Sequence, residues 1–234
     1  MTCGKDDIST CCGLCDYNPV VVIATHERKE ITTRNINSLK RQSFIPKIVV
    51  VCTNTDELEY YKGLKVTVIH SPNRPLGNKW QNGVNAAIKM EADPLIILGS
   101  DDILINGYIK MVLDKMREGY DFVGMTHWYT YDLRDTYHCQ YTNSNVDFPI
   151  GSGRAYSKKA LLEIRKIFDT DAERKLDDVG FRRVCEYNMK SHLFRDPYIL
   201  AVKGNWEQMN PISGYLHSRN INAVIGKYDL SEFT

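Results

Sequence analysis

Short runs of Val, Ile and Leu recur along this chain, and the segments between them carry apolar residues at helical spacing. No other feature constrains the fold as far. PVVVIAT (19–25), KIVVVCT (47–53) and PLIILGS (94–100) have almost no polar interruption, so they read as strands buried on both faces. LKVTVIHS (64–71) alternates like a more exposed strand. Among the intervening segments, Ile36 and Leu39 mark a weak stripe in ITTRNINSLKRQ, and Val84, Ala87 and Ile88 fall at i, i+3, i+4. Ile109, Val112, Leu113 and Met116 share one face of YIKMVLDKMREG, which Gly119 is suited to end. Over the first ~125 residues the pattern predicts a mostly parallel sheet with helices on both faces, the α/β/α sandwich of nucleotide binders.

The second half changes character. DFVGMTHWYTYDLRDTYHCQYT (121–142) is aromatic and polar without helical period and predicts a strand pair or a loop over the sheet. PIGSGRAYS predicts a short strand with close backbone approach at its glycines, and Ser157 is suited to cap a helix over KKALLEIRKIF. DDVGFRRVCEYNMK predicts a further helix with acids at its positive end, YILAVKG a last strand, and the tail from Asn205 irregular structure. One domain is expected over residues 19–234, with a nucleotide-binding half at 19–125 and an acceptor-binding half at 126–234.

Lys and Arg total 30 against 29 Asp and Glu, a net charge of +1, so no global field draws nucleic acid or an anionic membrane and any phosphate site must be local. No apolar stretch approaches the ~20 residues of a membrane span, and a soluble cytoplasmic protein is expected. Cys3, Cys11, Cys12 and Cys15 cluster in an extension over residues 1–18. They contain one CxxC and no second pair at zinc-site spacing, which favours a plain extension over a metal site.

In an open α/β sheet, ligands bind beyond the carboxyl ends of the strands. The residues just after each run therefore converge: Thr25, His26, Glu27 and Arg28; Thr53, Asn54 and Asp56; Ser100, Asp101 and Asp102. Adjacent carboxylates repel unless a cation joins them, and Mg²⁺ or Mn²⁺ takes one or two carboxylates with water and substrate phosphates as the remaining ligands. The competing reading is that Asp101 and Asp102 cap a helix that follows.

VVVIATHERKE, KIVVVCTNTDE, GNKWQNGVNAA, LIILGSDD, PIGSGRAYSKKAL and KLDDVGFRRV, in this order, resemble the motifs of family 2 inverting glycosyltransferases with the GT-A fold. The resemblance covers about residues 19 to 190. It implies a GT-A type Rossmann-like sandwich and transfer of a sugar from a nucleoside diphosphate donor, UDP foremost, to a glycan or other hydroxyl acceptor, with Mn²⁺ or Mg²⁺ held by a DxD-type element, here Ser100-Asp101-Asp102. On that resemblance Ala24, Thr25, His26 and Glu27 meet the nucleotide, Lys79 the diphosphate, Asp101 the ribose side and Asp102 the metal, which His217 in the tail would join; the alternatives are a solvated helix lysine for Lys79 and a surface or packing histidine for His217. The family's acid after the second strand is absent; Cys52, Thr53 and Asn54 stand there, and the Asn54 amide offers a different donor and acceptor pattern to a base.

The resemblance also makes Asp178 of LDDVGF the general base, with Asp177 beside it. A helix-capping role is the alternative for this pair. Gly151, Ser152, Gly153 and Arg154 would shape the acceptor site, with Arg182 a further contact. Trp206, with Trp128, Tyr129, Tyr131 and Tyr215, would offer a wall for a sugar face, unless these aromatics are core. Two other functions compete. A sugar-nucleotide pyrophosphorylase would carry a glycine-rich phosphate loop after the first strand, and ATHERKE has no glycine. A non-catalytic binding module has no need of Asp101, Asp102 and Asp178 together.

Overall fold

The computed structural model describes residues 16–133, 137–142 and 147–204, the stretch 137–142 by its backbone. In chain order its elements are β1 (Val20–Ala24), α1 (Lys29–Lys40), β2 (Lys47–Cys52), α2 (Thr55–Lys62), β3 (Thr67–His70), α3 (Leu76–Lys89), β4 (Leu95–Gly99) and β5 (Asp102–Leu104). There follow α4 (Tyr108–Arg117), β6 (Phe122–Met125), β7 (His127–Asp132), β8 (Tyr137–Thr142), β9 (Arg154–Tyr156), α5 (Lys158–Ile164), α6 (Leu176–Glu186), β10 (Ser191–Phe194) and β11 (Ile199–Lys203).

Seven strands form the main sheet in the order β10-β6-β9-β4-β1-β2-β3. All neighbours are parallel except β9, which runs antiparallel between β4 and β6. The strand residues alternate between two cores. On one face Val21, Ile23, Val50 and Leu98 pack with Ile36 and Leu39 of α1 and Ile109, Val112 and Leu113 of α4. On the other, Val20, Val22, Val49 and Ile97 pack with Val84 and Ala87 of α3, Leu161 of α5 and Val184 of α6. Burial on both faces is why β1, β2 and β4 are continuously aliphatic; the edge strand β3 is only half-buried, with Val68 packed on one core and Ile69 on the other. The Rossmann-like sandwich expected from the pattern is the fold observed.

A second sheet, ordered β5-β11-β7-β8, is built from strands interleaved along the chain with those of the main one and supplies the aromatic segment with its pairing. Tyr129, Tyr131, Leu200, Val202, Ile103 and Ile31 form its small core. Tyr129 and Tyr131 are therefore packed inside, the structural role weighed for them above. The capping alternative for Asp101 and Asp102 does not hold, because Asp102 opens a strand and α4 begins only at Tyr108, behind Gly107. Ser157 does cap α5, accepting from the Ala160 N–H at 3.1 Å. That helix stops at Ile164, sooner than the apolar pattern suggests, where Arg165 takes a left-handed φ of 55°.

Candidate functional site

Because β1 pairs in parallel with both neighbours, Ala24 stands in register with Val51 and with Gly99. The loops that follow the three strands therefore meet at one edge. Thr25 is buried, its hydroxyl 2.9 Å from that of Thr32 and its N–H donated to Val51. Glu27 adopts a left-handed φ of 54°, a conformation few non-glycine residues hold without support. Glu57 gives that support. Its buried carboxylate accepts from the Glu27 N–H at 2.7 Å and from the Thr53 N–H at 3.1 Å, tying the first two loops together. Asn54 caps α2 by accepting from the Glu57 N–H at 2.8 Å, so its side-chain oxygen faces its own helix. Between these loops lies a cleft of about 430 Å³ lined by residues 27–31, Asn54, Asp56 and Glu57. His26, beside it, has a buried Nδ1 with no hydrogen-bond partner among the described residues.

Lys79 crosses behind the loops that follow β1, β2 and β3. Its ammonium donates to the Thr25 carbonyl, to Thr53 Oγ1 at 2.7 Å and to Asn73 Oδ1 at 3.0 Å. The side chain is 1% exposed, and burial pushes its pKa down to about 8 against the opposing pull of Glu57. Its three donors are thus satisfied by protein oxygens, one from each loop.

Asp101 and Asp102 follow β4 and are both buried. They are not equivalent. Asp101 Oδ2 accepts from Lys203 Nζ at 3.0 Å, and its Oδ1 lies 3.8 Å from Arg28 Nη1, which also reaches Ser100 Oγ at 3.3 Å. The Asp102 carboxylate sits over Gly99, where a Cβ would collide with it, and takes a hydrogen bond from Ser152, whose oxygen accepts the Gly99 N–H at 2.9 Å. Burial first, and the Asp101 charge second, push the Asp102 carboxyl up to about 6. A hard divalent cation, which needs one or two carboxylates and completes its shell with phosphate and water, suits this oriented and electrostatically unsettled oxygen pair.

The loop from Gly151 to Gly153 joins this element to α6. Gly153 donates its N–H to Ile97 at 2.7 Å as β9 enters the sheet beside the end of β4. One residue before Ser152, Gly151 packs against the Asp177 carboxylate so closely that a Cβ would overlap it. Asp177 and Asp178 are exposed in the first turn of α6, whose N-cap residue, Lys175, makes no side-chain capping bond. Arg154 is buried and directed inward: Nε donates to Ile150 O and Nη2 to Pro149 O, each at 2.7 Å, and Nη1 to the Asp177 carbonyl. It braces the glycine loop against the start of α6. Arg182 is exposed and pairs loosely with Glu186 at 3.7 Å.

The structure therefore gathers Thr25, His26, Glu27, Asn54, Lys79, Ser100, Asp101 and Asp102 at the strand ends, and links Asp102 through Ser152 and Gly151 to Asp177. His217, Trp206, Tyr215 and the four N-terminal cysteines lie outside the described residues. Sequence reasoning missed Glu57 and Lys203. Glu57 had a signal, since Asn54-Thr55-Asp56-Glu57 has the spacing of a capping box. Lys203 had none, being one Lys at the end of an apolar run.

The model of the family described as glycosyl transferase family 2 matches residues 20–171. No curated protein matches in sequence. Among solved structures, residues 1–349 of TarS from S. aureus superpose with a TM-score of 0.59 at 17% identity, covering 79% of this chain and 60% of that one. A longer TarS structure gives 0.61 at 15%, with 79% of this chain and 36% of that one covered, so the chain spans less than two thirds of either. A CMP:2-keto-3-deoxy-manno-octonic acid synthetase complexed with CTP gives 0.53 at 14%, covering 77% and 90%. At these identities the likenesses establish the fold alone. No helix among the described residues is long and apolar enough to cross a membrane.

Proposed function

The chain belongs to glycosyl transferase family 2, and from that premise we propose that it moves a sugar from a nucleoside diphosphate donor to an acceptor hydroxyl with inversion, assisted by Mg²⁺ or Mn²⁺. The observation that carries this reading is the continuous path from Asp102 through Ser152 and Gly151 to the Asp177-Asp178 pair. It brings an oriented acid for the donor side and exposed acids for the acceptor side to one loop.

The nucleotide lies across the cleft between the first two loops, against His26, Glu27 and the start of α2. Lys79 and Glu57 hold those loops in shape rather than meeting the ligand with free valences. Asp102 would hold the metal, which would supply Lewis-acid stabilisation of the charge on the departing diphosphate. Asp178 accepts the proton of the acceptor hydroxyl as its oxygen forms a bond to the anomeric carbon. The bond from that carbon to the diphosphate oxygen breaks with its electron pair leaving on the diphosphate. A single displacement needs the base on the side opposite the leaving group, which separate elements for Asp102 and Asp178 permit. Exposure suits Asp178 to the role, since the base must reach an acceptor arriving from solvent; Asp177, seated on Gly151, shapes the loop.

A thermal-shift series with UDP, GDP, CDP, ADP and dTDP, with and without Mn²⁺, tests the donor side. A Mn²⁺-dependent rise with one nucleotide, lost in Asp102→Asn, is expected, with UDP the leading candidate. No rise with any of them rejects the transferase reading. For the acceptor side, Asp178→Asn is expected to remove transfer while sparing nucleotide binding, and Asp177→Asn to retain measurable turnover. The reverse result moves the base to Asp177.

A further inference from the structure

Lys203 ends β11, far from the paired acids in sequence, yet its position beside them is set by backbone pairing. β11 runs antiparallel to β5 with Ala201 opposite Asp102, and the Val202 N–H donates to the Asp101 carbonyl at 2.8 Å. That register delivers the Lys203 ammonium to Asp101 Oδ2 at 3.0 Å, with Lys203 8% and Asp101 9% exposed. Arg28 approaches the other Asp101 oxygen at 3.8 Å. Among the described residues no cation forms an ion pair with Asp102, whose carboxylate meets the Ser152 hydroxyl and the open face of Gly99. Two adjacent acids are thereby made unlike: Asp101 is paired directly with Lys203, while Asp102 feels Lys203 and Arg28 only at longer range.

We propose that Lys203 is a positioning residue that serves as the fixed counter-cation of Asp101, keeps that carboxylate out of the shell of the divalent cation, and leaves Asp102 as the single carboxylate the pair offers. This rests on the metal-assisted reading above. A cation held by one protein carboxylate must draw its remaining ligands from water and the donor's phosphates. The ion therefore binds well only together with the nucleotide and leaves with it. Two free carboxylates would instead retain the ion on their own.

The test titrates Mn²⁺ alone into the full chain, with free Mn²⁺ followed by electron paramagnetic resonance. Lys203→Met and Lys203→Gln both release Asp101, and each is expected to bind Mn²⁺ about tenfold more tightly than wild type, a gain of about 1.4 kcal/mol. Lys203→Arg, and Asp101→Asn combined with Lys203→Met, are expected to return to the wild-type affinity. Unchanged or weaker Mn²⁺ binding in both Met and Gln variants, with cooperative melting retained, overturns the proposal. So does an Arg variant that gains as much as Met. Nucleotide binding by wild type with and without Mn²⁺ separates the two readings. If it is indifferent to Mn²⁺, metal assistance fails and takes the proposal with it, even where the Met variant gains a site. If it requires Mn²⁺ while neither variant gains, the role of Lys203 fails alone.

Discussion

Replacing Lys79 by Met distinguishes a residue that builds the nucleotide cleft from one that touches the nucleotide. The ammonium is buried and donates to oxygens of Thr25, Thr53 and Asn73, one in each loop beyond β1, β2 and β3. Met fills similar volume but donates nothing, so three acceptors lose their partner and Glu57 loses its nearby positive charge. Removing one member of a buried, hydrogen-bonded charge cluster costs about 3–5 kcal/mol, because the groups left behind stay desolvated. The desolvation of Lys79 itself, seen in its lowered pKa, is relieved by the substitution and argues for the lower end, about 3 kcal/mol. With a urea m-value of about 2 kcal/mol/M, the unfolding midpoint drops by about 1.5 M at unchanged slope. Urea denaturation followed by tryptophan fluorescence at pH 7, without nucleotide, measures this directly. A midpoint within about 0.25 M of wild type, accompanied by lost nucleotide affinity, would refute the reasoning and return Lys79 to the diphosphate.

Asp102 predicts a pH dependence of opposite origin. Its carboxyl is raised from 3.8 to about 6 in the fold, so the folded state holds the proton more tightly than the unfolded one. Stability then falls as pH rises from about 4 to about 6 and stays lower above that, by roughly 1–3 kcal/mol in the absence of metal. Urea midpoints at pH 5 and pH 8 in EDTA are expected to show this loss in wild type and not in Asp102→Asn; equal slopes in both would assign the effect elsewhere. Gly151→Ala forces the Asp177 carboxylate off the loop, because the new methyl occupies its space. Turnover is expected to fall at least about tenfold with nucleotide Kd unchanged, and a variant with normal turnover would detach this contact from the acceptor side.

The main sheet was legible because its cause is local to each strand. β1, β2 and β4 are buried on both faces, so their residues must be aliphatic whatever they pack against, and the register of Ala24 with Val51 and Gly99 follows from parallel pairing. The second sheet was legible only as strands, since nothing in residues 121–142 states that β7 pairs with β11 instead of joining the main sheet. α2 was hidden by its composition. Three acids, two tyrosines and a single buried face of Glu57 and Tyr61 give no apolar stripe, although Asn54 supplies a capping signal. β5 was hidden by its length of three residues, and with it the finding that Asp102 begins a strand.

The site divides along the same line. Residues that point from strand ends are adjacent in sequence to the runs that betray the strands, so Thr25, Asn54, Asp101 and Asp102 were found together. The residues that decide what those groups do are brought in by tertiary pairing: Glu57 to Glu27, Ser152 to Gly99, Lys203 to Asp101 across 102 positions. The paired acids illustrate the consequence. From sequence, two adjacent buried carboxylates demand a cation, and a bound metal is the economical answer. In the fold a lysine already meets that demand for Asp101, so the electrostatic need for metal is halved before any ligand arrives. Whatever affinity for a divalent ion remains must come from Asp102 and from phosphates carried in with the donor. On the metal-assisted reading proposed above, the ion would on that account be part of the substrate as much as of the protein.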